Sequence, residues 1–394
     1  MAISEQSPPR PAEARLKIER VESADGLRAL FPEWQELLRR CPDRSLCQTP
    51  VWLGTWWQVF GGGRELCVLT ARDPQGELRG IAPLLLRTVR HRGLVPLRRL
   101  ELLGTGEPEA DEVASNYVDF LTDSEWEPWV TAAFAQALAG ELADAWDELY
   151  LTALPAESLR ARELPALLGK RGCRAEALAR TPGVYVSLED GWEAAQARMH
   201  AGHRKSLRRR RRRLEEAGEV RFDWATGPQE LRERWPILRS LHERGWAARG
   251  GTGCFHSAPF REFHRQVTEY LLPRGGVRLA VLSLNGEPLA ADFYYLYHGR
   301  VYAYQAGLDP ERGRQLSAGT IGIACGMEAA AAEGLEEYDF LRGVSEYKTV
   351  WSDARREQLT LRIARPGLRE TLRGTIEAGV SAVRPLRSRL RRPV

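Results

Sequence analysis

Two stretches of the chain gather groups able to do chemistry. The first is YDFLRGVSEYKTVW, residues 338–351, which brings Asp339, Arg342, Glu346, Tyr347 and Lys348 into one short run. Asp339 lies between Tyr338 and Phe340 in a strand-like pattern. A carboxylate on a mostly buried strand needs a partner, and Arg342 or Lys348 can supply it. Gly343 permits an unusual backbone conformation or a close approach. Such a cluster can be a structural salt bridge followed by an ordinary loop. Acid, base and aromatic groups converging beside an anion site favour function instead. The second stretch is DPERGRQLSAGT, residues 309–320, which leaves a strand and enters a helix. Ser317 is placed to cap that helix through its side chain. The free N–H groups of the first turn, with Arg312 and Arg314 just before them, would attract a phosphate or pyrophosphate. Gly319, Gly322 and Gly326 give the helix a smooth face, at a cost of about 1 kcal/mol each against alanine. That face suits a ligand or tight packing on a sheet, and the sequence leaves both open.

Other candidates are weaker. His242, Arg244 and Trp246 precede the glycine-rich GGTG at 250–253, which is either a lid or a connection. Tyr294, Tyr295, Tyr297, Tyr302 and Tyr304 have the spacing of cross-strand packing. Tyr304 is retained with His242 and Arg342 as a substrate-binding candidate. Asp292, inside an apolar strand, is a lesser one. Residues 208–213 are six consecutive arginines. A nucleic-acid patch would normally interleave aromatics, and none is present. The run therefore reads as a solvated helix face with some arginines turned toward an anionic ligand.

These groups need elements to hold them. Periodicity predicts strands over 16–21, 66–71, 80–86, 97–103, 116–121 and 148–153, with helices over 27–40, 52–60 and 126–142. Beyond residue 181 it predicts a strand over 184–188, one long helix over 192–217 and a strand over 220–225. Helices over 230–246 and 260–272 follow. A three-stranded meander over 277–284, 289–297 and 301–307 turns first at Asn285-Gly286, a strong hairpin signal. A helix over 318–333 and strands over 337–341 and 359–364 complete the pattern, which is mixed α/β. No GxGxxG, GxxxxGK[ST] or GxSxG motif is present.

The order of elements repeats. DGLRALFPEWQELLRR at 25–40 is echoed by QELRERWPILRSLHER at 229–244, and CQTPVW at 47–52 by HSAPF at 256–260. RELCVLTARDPQGE at 64–77 matches VRLAVLSLNGE at 277–287, and WDELYLTAL at 146–154 matches LEEYDFLRG at 335–343. Four matches in one order imply two copies of a domain, over 15–178 and 181–366. Residues 1–14 are expected to be disordered, and 367–394 form a basic tail. That tail is a candidate for helix, for a solubilising segment, or for peripheral contact with an anionic membrane. At the matching positions the first copy has Tyr150 and Ala153 in place of Asp339 and Arg342, so a single active site would lie mostly in the second copy.

The 394 residues are 43% apolar and 28% charged, with a net charge of only +4, which is globular and not polycationic. The six cysteines form no CxxC pair, and no Cys/His spacing suggests zinc. MAISEQSPPRPAEAR has no apolar core, so a cytoplasmic location with free thiols is expected.

The second copy, through HRKSLRRRRRRLEEAG, LHERGW, LNGEPLAA, LSAGTIG and YDFLRGVSEYKTVW, resembles the GNAT-superfamily acyltransferases of the cellulose-biosynthesis type. The first copy resembles them through TPVWLGTWWQVFGG and GIAPLLL. The resemblance implies an α/β fold with a mixed sheet, built as two tandem GNAT-like domains facing a cleft and shared with Fem-type aminoacyl ligases. It implies acyl-CoA or acetyl-CoA as donor, bound where the central strands splay beside a helix N-terminus, and no metal. RGRQLSAG stands where the family's pyrophosphate loop would be. On this reading Arg312, Arg314, Ser317 and Gly319 hold the pyrophosphate. Lys348, held by Asp339, stabilises charge or anchors substrate, Glu346 is the base, and Tyr347 protonates the leaving thiolate. The acceptor would be a small molecule or glycan. The alternatives are a ligase using aminoacyl-tRNA and a catalytically silent scaffold in an exopolysaccharide assembly.

Overall fold

The structure, a computed structural model, describes residues 15–390, with side chains as far as 380. The expected disorder of residues 1–14 therefore lies outside the described residues. In the first half β1 (Lys17–Val21) leads to α1 (Ala24–Arg40) and α2 (Pro50–Phe60). Then come β2 (Glu65–Leu66), β3 (Val68–Arg72), β4 (Leu78–Ala82), β5 (Leu84–His91), β6 (Val95–Leu102) and β7 (Leu121–Thr122). This half continues with α3 (Glu127–Ala139), β8 (Glu148–Pro155) and α4 (Leu159–Gly169), and the long β9 (Arg174–Ser187) spans the junction. The second half holds α5 (Gly191–Arg198), α6 (Ala201–Glu216), β10 (Val220–Ala225), α7 (Pro228–Ala247) and α8 (Ala258–Leu271). Next are β11 (Val277–Leu284), β12 (Glu287–Tyr297), β13 (Arg300–Leu308), α9 (Arg312–Gln315) and α10 (Ala318–Ala332). β14 (Glu337–Arg342), α11 (Glu346–Thr349), β15 (Arg355–Ala364) and α12 (Leu368–Leu390) close the chain.

The repeated segments occupy equivalent elements. In α1, Leu27, Leu30, Trp34, Leu37 and Leu38 recur at helical spacing and are buried. α7 buries Leu231, Leu238, Leu241 and His242. Pro32 and Pro236 sit at the same distance into these two helices, which begin at Ala24 and Pro228. α2 and α8 start alike. Thr49 accepts from Trp52 N at 3.3 Å and Ser257 from Phe260 N at 3.0 Å, each with a proline in the first turn, where its missing N–H costs nothing.

Eleven strands form one sheet in the order β10-β11-β12-β13-β14-β9-β15-β8-β6-β5-β2, and four form a smaller sheet, β1-β3-β4-β7. The middle of the large sheet is an exchange. β9 follows the first half but pairs with β14 of the second, and β15 follows the second half but pairs with β8 of the first. β9 and β15 also pair with each other over ten registered positions, so the two halves share one hydrogen-bonded sheet.

Several expected elements differ. The strand over 66–71 is divided at Cys67, and that over 80–86 at Pro83, so each feeds both sheets; a proline cannot donate to a ladder. The strand over 116–121 is mostly irregular, with Tyr117 at positive φ and only Leu121–Thr122 paired. Its polar groups serve the second half instead: Asn116 Oδ1 accepts from Arg342 N, and Tyr117 N donates to Gln358 Oε1. The helix over 192–217 breaks at Met199, and His200 Nδ1 caps α6 by accepting from Gly202 N at 3.2 Å. α4 was not predicted. The tail is helical through Leu390. Its start is docked by Glu370 against Arg362 and by Glu377 against Arg92 and His91.

Candidate functional site

β13 and β14 run parallel for three residue pairs only, Arg300↔Glu337, Val301↔Tyr338 and Tyr302↔Asp339. Two irregularities then drive them apart. Tyr304 is an extra residue in β13, because Tyr294 faces Ala303 while its neighbour Phe293 faces Gln305. In β14, Leu341 takes a left-handed conformation at φ 61° and Gly343 follows at φ 94°. A cavity of about 180 Å³ opens between the strands, walled by Asp292 and Tyr294 of β12, Ile323 of α10, Tyr338 and Phe340 of β14, and Tyr347 of α11.

The glycine face of α10 explains how the helix comes so close. A Cβ at Gly326 would lie 2.5 Å from Tyr294 Oη, and one at Gly322 would lie 3.2 Å from Asp292 Oδ2. At these two positions the face is used for packing. Nearer the helix start, a Cβ at Gly319 would meet only Leu308, at 3.6 Å.

The first half has the same parallel pair, β6 and β8, again with three registered positions. There the neighbouring side chains are ion-paired. Arg87 donates to the buried Glu101 at 2.7 Å, and Arg99 donates to the buried Glu148 at 2.6 Å, with Arg362 on its other oxygen.

The cluster at 338–351 is arranged differently from expectation. Asp339 is fully buried, but its partner is neither Arg342 nor Lys348. Its oxygens accept from Leu341 N at 2.6 Å and from Arg356 Nη1 at 3.3 Å. Arg356 also holds Glu337 at 2.9 Å. Burial pushes the Asp339 carboxyl up to about 6, against the pull of Arg356. The reason is parity: Asp339 points to the opposite face of the strand from Tyr338 and Phe340, toward the first half. Lys348 Nζ instead donates to the carbonyls of Phe340 at 2.8 Å and Arg342 at 3.1 Å, clasping the left-handed Leu341 between them. Burial holds its pKa below the usual lysine value. Arg342 is ion-paired with Glu112 of the first half. Glu346 is exposed, in the first turn of α11, and Tyr347 stands at the cavity rim with its ring against Phe340.

At the start of α10, Ser317 is itself left-handed, at φ 60°, and makes no side-chain cap. The short α9 runs directly into it, so capping by Ser317 is corrected. Arg312 is paired with Glu287, leaving Arg314 exposed and without an ion pair among the described residues. A second guanidinium arrives from α6: Arg210 Nη1 donates to Thr320 Oγ1 at 3.0 Å, in the first turn of α10. Arg211 turns the same way, to Glu328 at 2.9 Å. Lys205, Arg208, Arg209 and Arg212 occupy the opposite face, around a depression of about 560 Å³.

His242 does not face the cavity with a free edge. It is buried against Phe255, with Cys254 Sγ 3.6 Å from Nε2, and burial lowers its pKa to about 4. The Tyr304 hydroxyl leaves the cavity for the other face of the sheet, where it donates to Val113 O and meets His264 Nε2 at 2.9 Å. His264 Nδ1 meets Tyr295 Oη at 2.8 Å, and Trp52 of α2 packs edge-on against Tyr295 and Tyr304. The first half thus covers this side of the opening. Beside it lies a cavity of about 350 Å³ bordered by Glu107, Glu109, Glu112, Ser115, Thr152 and Arg342. Glu107 accepts from Trp56 Nε1 and Val113 N, and burial raises its pKa. Sequence reasoning had Arg210 only as one of the arginine run, without singling it out, and missed Arg356, His264 and this first-half segment. The spacing of Arg210 toward the buried face of α6, three residues past Leu207, was the one available signal.

Residues 201–349 match the family described as an acetyltransferase (GNAT) domain. The fold is a GNAT fold. No curated protein is significantly similar in sequence. Among solved structures, FemX superposes with a TM-score of 0.59 at 12% identity, over 92% of this chain and 100% of that one. The C-terminal domain of a putative lysylphosphatidylglycerol synthetase from Agrobacterium fabrum reaches 0.49 at 12% identity, over 90% and 96% of the two chains. A tandem GNAT protein from the clavulanic acid biosynthesis pathway reaches 0.45 at 12%, over 90% and 99%. Among the described residues no helix is long and apolar enough to cross a membrane, and no group of three or more His, Cys, Asp or Glu is placed to hold a metal ion.

Proposed function

We propose that the protein is a cytoplasmic acyltransferase that moves an acyl group from a CoA thioester to an amine or hydroxyl, on a small molecule or glycan of polysaccharide or cell-envelope metabolism. The observation that carries this reading is the opening between β13 and β14 beside the N-terminus of α10. An anion at that terminus would meet the free N–H groups of the first turn, Arg314 and Arg210. From there an acyl arm has a short path into the opening. The acceptor would approach from the first-half side, past Arg342. Lys348 fixes the bend of β14 and keeps a cation near the reacting carbonyl, while Tyr347 stands at the rim as proton donor to the thiolate.

Calorimetric titration of the full chain with CoA tests the donor site. Arg314→Ala and Arg210→Ala should each weaken binding about tenfold, the value of one charge-assisted contact. Undiminished binding in both variants would remove the donor from α10. A second reading, an aminoacyl-tRNA-dependent ligase, is favoured by Lys205, Arg208, Arg209 and Arg212, which present cations on one helix face. It predicts tight RNA binding with a steep salt dependence, lost when these four are neutralised.

A further inference from the structure

The segment 111–117, in the connection from β6 to β7, is tied down at nearly every residue. Toward its own half, Val113 N donates to Glu107 Oε1 at 2.9 Å, Ser115 Oγ accepts from Trp52 Nε1 at 2.9 Å, and Tyr117 O accepts from Ser45 Oγ at 3.0 Å. Toward the second half it grips both strands of the opening. On the β13 side, Val113 O accepts from the Tyr304 hydroxyl. On the β14 side, Asn116 Oδ1 accepts from Arg342 N at 3.1 Å, and Glu112 is ion-paired with the Arg342 guanidinium. Gln358 of β15 donates to the same Asn116 oxygen at 3.0 Å and accepts from Tyr117 N at 3.1 Å. Asp111 accepts from Ser257 Oγ at 2.6 Å, at the start of α8. Val113, Ser115, Asn116 and Tyr117 are buried. Ala114 and Tyr117 are left-handed, at φ 48° and 57°, a conformation that is costly for residues other than glycine and persists where the surroundings fix it.

The ladder between β13 and β14 ends at Tyr302↔Asp339, and beyond it no registered pair joins the two strands. Tyr304 and Arg342 lie just past that end, so the strap takes over where the ladder stops. Three residues, from Val113 to Asn116, reach at most about 10 Å, which limits how far the two grips can move apart. The grip on β13 has a fixed sense. Val113 O can only accept, so Tyr304 Oη donates to it and accepts from His264 Nε2–H, and His264 Nδ1 accepts from the Tyr295 hydroxyl. Burial lowers the His264 pKa to about 3, which keeps the imidazole neutral and this chain of bonds intact at ordinary pH. We propose that residues 111–117 are the positioning element of the opening, through which the first half sets the separation of β13 and β14 and with it the affinity of the second half for its donor. Asn116 and Tyr304 are then positioning residues that touch no substrate. The proposal rests on the reading of this opening as the donor's path and adds to it what holds the path to its width.

Amide hydrogen exchange of the full chain, read by mass spectrometry, and calorimetric titration with CoA test this together. Tyr304→Phe keeps the ring and removes the β13 grip alone. A spacer transmits that release to β14, which the hydroxyl does not bond, so exchange over residues 340–343 should quicken about fivefold, the worth of one hydrogen bond. The affinity for CoA should fall by about the same factor. Tyr302→Phe takes from the same strand a hydroxyl bonded to no described residue, and should change neither. Asn116→Ala releases the β14 grip and should weaken CoA comparably. The double variant should be little worse than either single one, because a bridge freed at one end no longer spaces anything. If Asn116→Ala does not fold, Tyr304→Phe decides the matter by itself. Unchanged exchange over 340–343 in Tyr304→Phe would overturn the strap as a spacer. Faster exchange with undiminished CoA affinity would overturn its role in donor binding. A parent protein that binds no CoA defeats the donor reading, and the exchange result still decides whether the strap spaces the strands.

Discussion

Asp292→Asn should make the protein more stable at pH 8 and change it little at pH 4. The carboxyl goes from its ordinary 3.8 to about 7 in the fold, by burial. The folded state therefore holds a proton over this window that the unfolded chain has released. A raised carboxylate pKa means stability that is present at low pH and declines as pH rises from about 4 to 7. At about 1.36 kcal/mol per tenfold change in proton affinity, the full penalty is roughly 4 kcal/mol. Water entering the cavity solvates the ion, so a gain of about 1–3 kcal/mol at pH 8 is expected from the isosteric amide. Urea denaturation of both proteins at pH 4, 6 and 8 measures it, with slopes compared to exclude a change in the unfolded state. The two curves should diverge with rising pH. Parallel curves, or a less stable variant at pH 8, would refute the claim that an unpaired, desolvated carboxylate sits there.

Three further outcomes follow from the site. Lys348→Met removes the donor to two half-buried carbonyls, which should cost about 1–2 kcal/mol of stability and lower turnover by roughly two orders of magnitude; normal turnover on the true substrate would make Lys348 purely structural. Arg356→Ala leaves the fully buried Asp339 without a cation and Glu337 with Arg300 alone, and should destabilise by about 3 kcal/mol or more in chemical denaturation. Ser317→Ala should shift the thermal midpoint negligibly, because the hydroxyl caps nothing; a loss of about 1 kcal/mol, the usual worth of such a cap, would contradict the observed helix start.

Much of the frame was legible because it rests on local signals. Apolar spacing in α1 and α7, the Thr49-Pro50 and Ser257-Ala258-Pro259 starts, and Asn285-Gly286 between β11 and β12 all act within a few residues. Their repetition disclosed the duplication. The errors fall where a segment answers to a distant partner. Residues 116–121 read as a strand, yet Asn116 and Tyr117 bond to Arg342 and Gln358 of the other half, and the segment is mostly irregular. The helix over 192–217 had the right composition, and the extended ψ of Met199 and His200 breaks it.

The sequence by itself determined which groups exist near one another along the chain: Arg314 before α10, the glycines on its face, and the acids, tyrosine and lysine after β14. Hydrogen bonding within one turn or one hairpin needs no more than that. Tertiary structure decided which of them meet. The side-chain parity of β14 sent Asp339 to Arg356 and away from Lys348, and the packing of α6 on α10 brought Arg210 to Thr320 across more than a hundred residues. The bulge at Tyr304 set β13 apart from β14 and left Asp292, unremarkable in an apolar strand, as a carboxylate facing an open cavity. Burial and partnership are properties of the assembled sheet, and no local spacing encodes them.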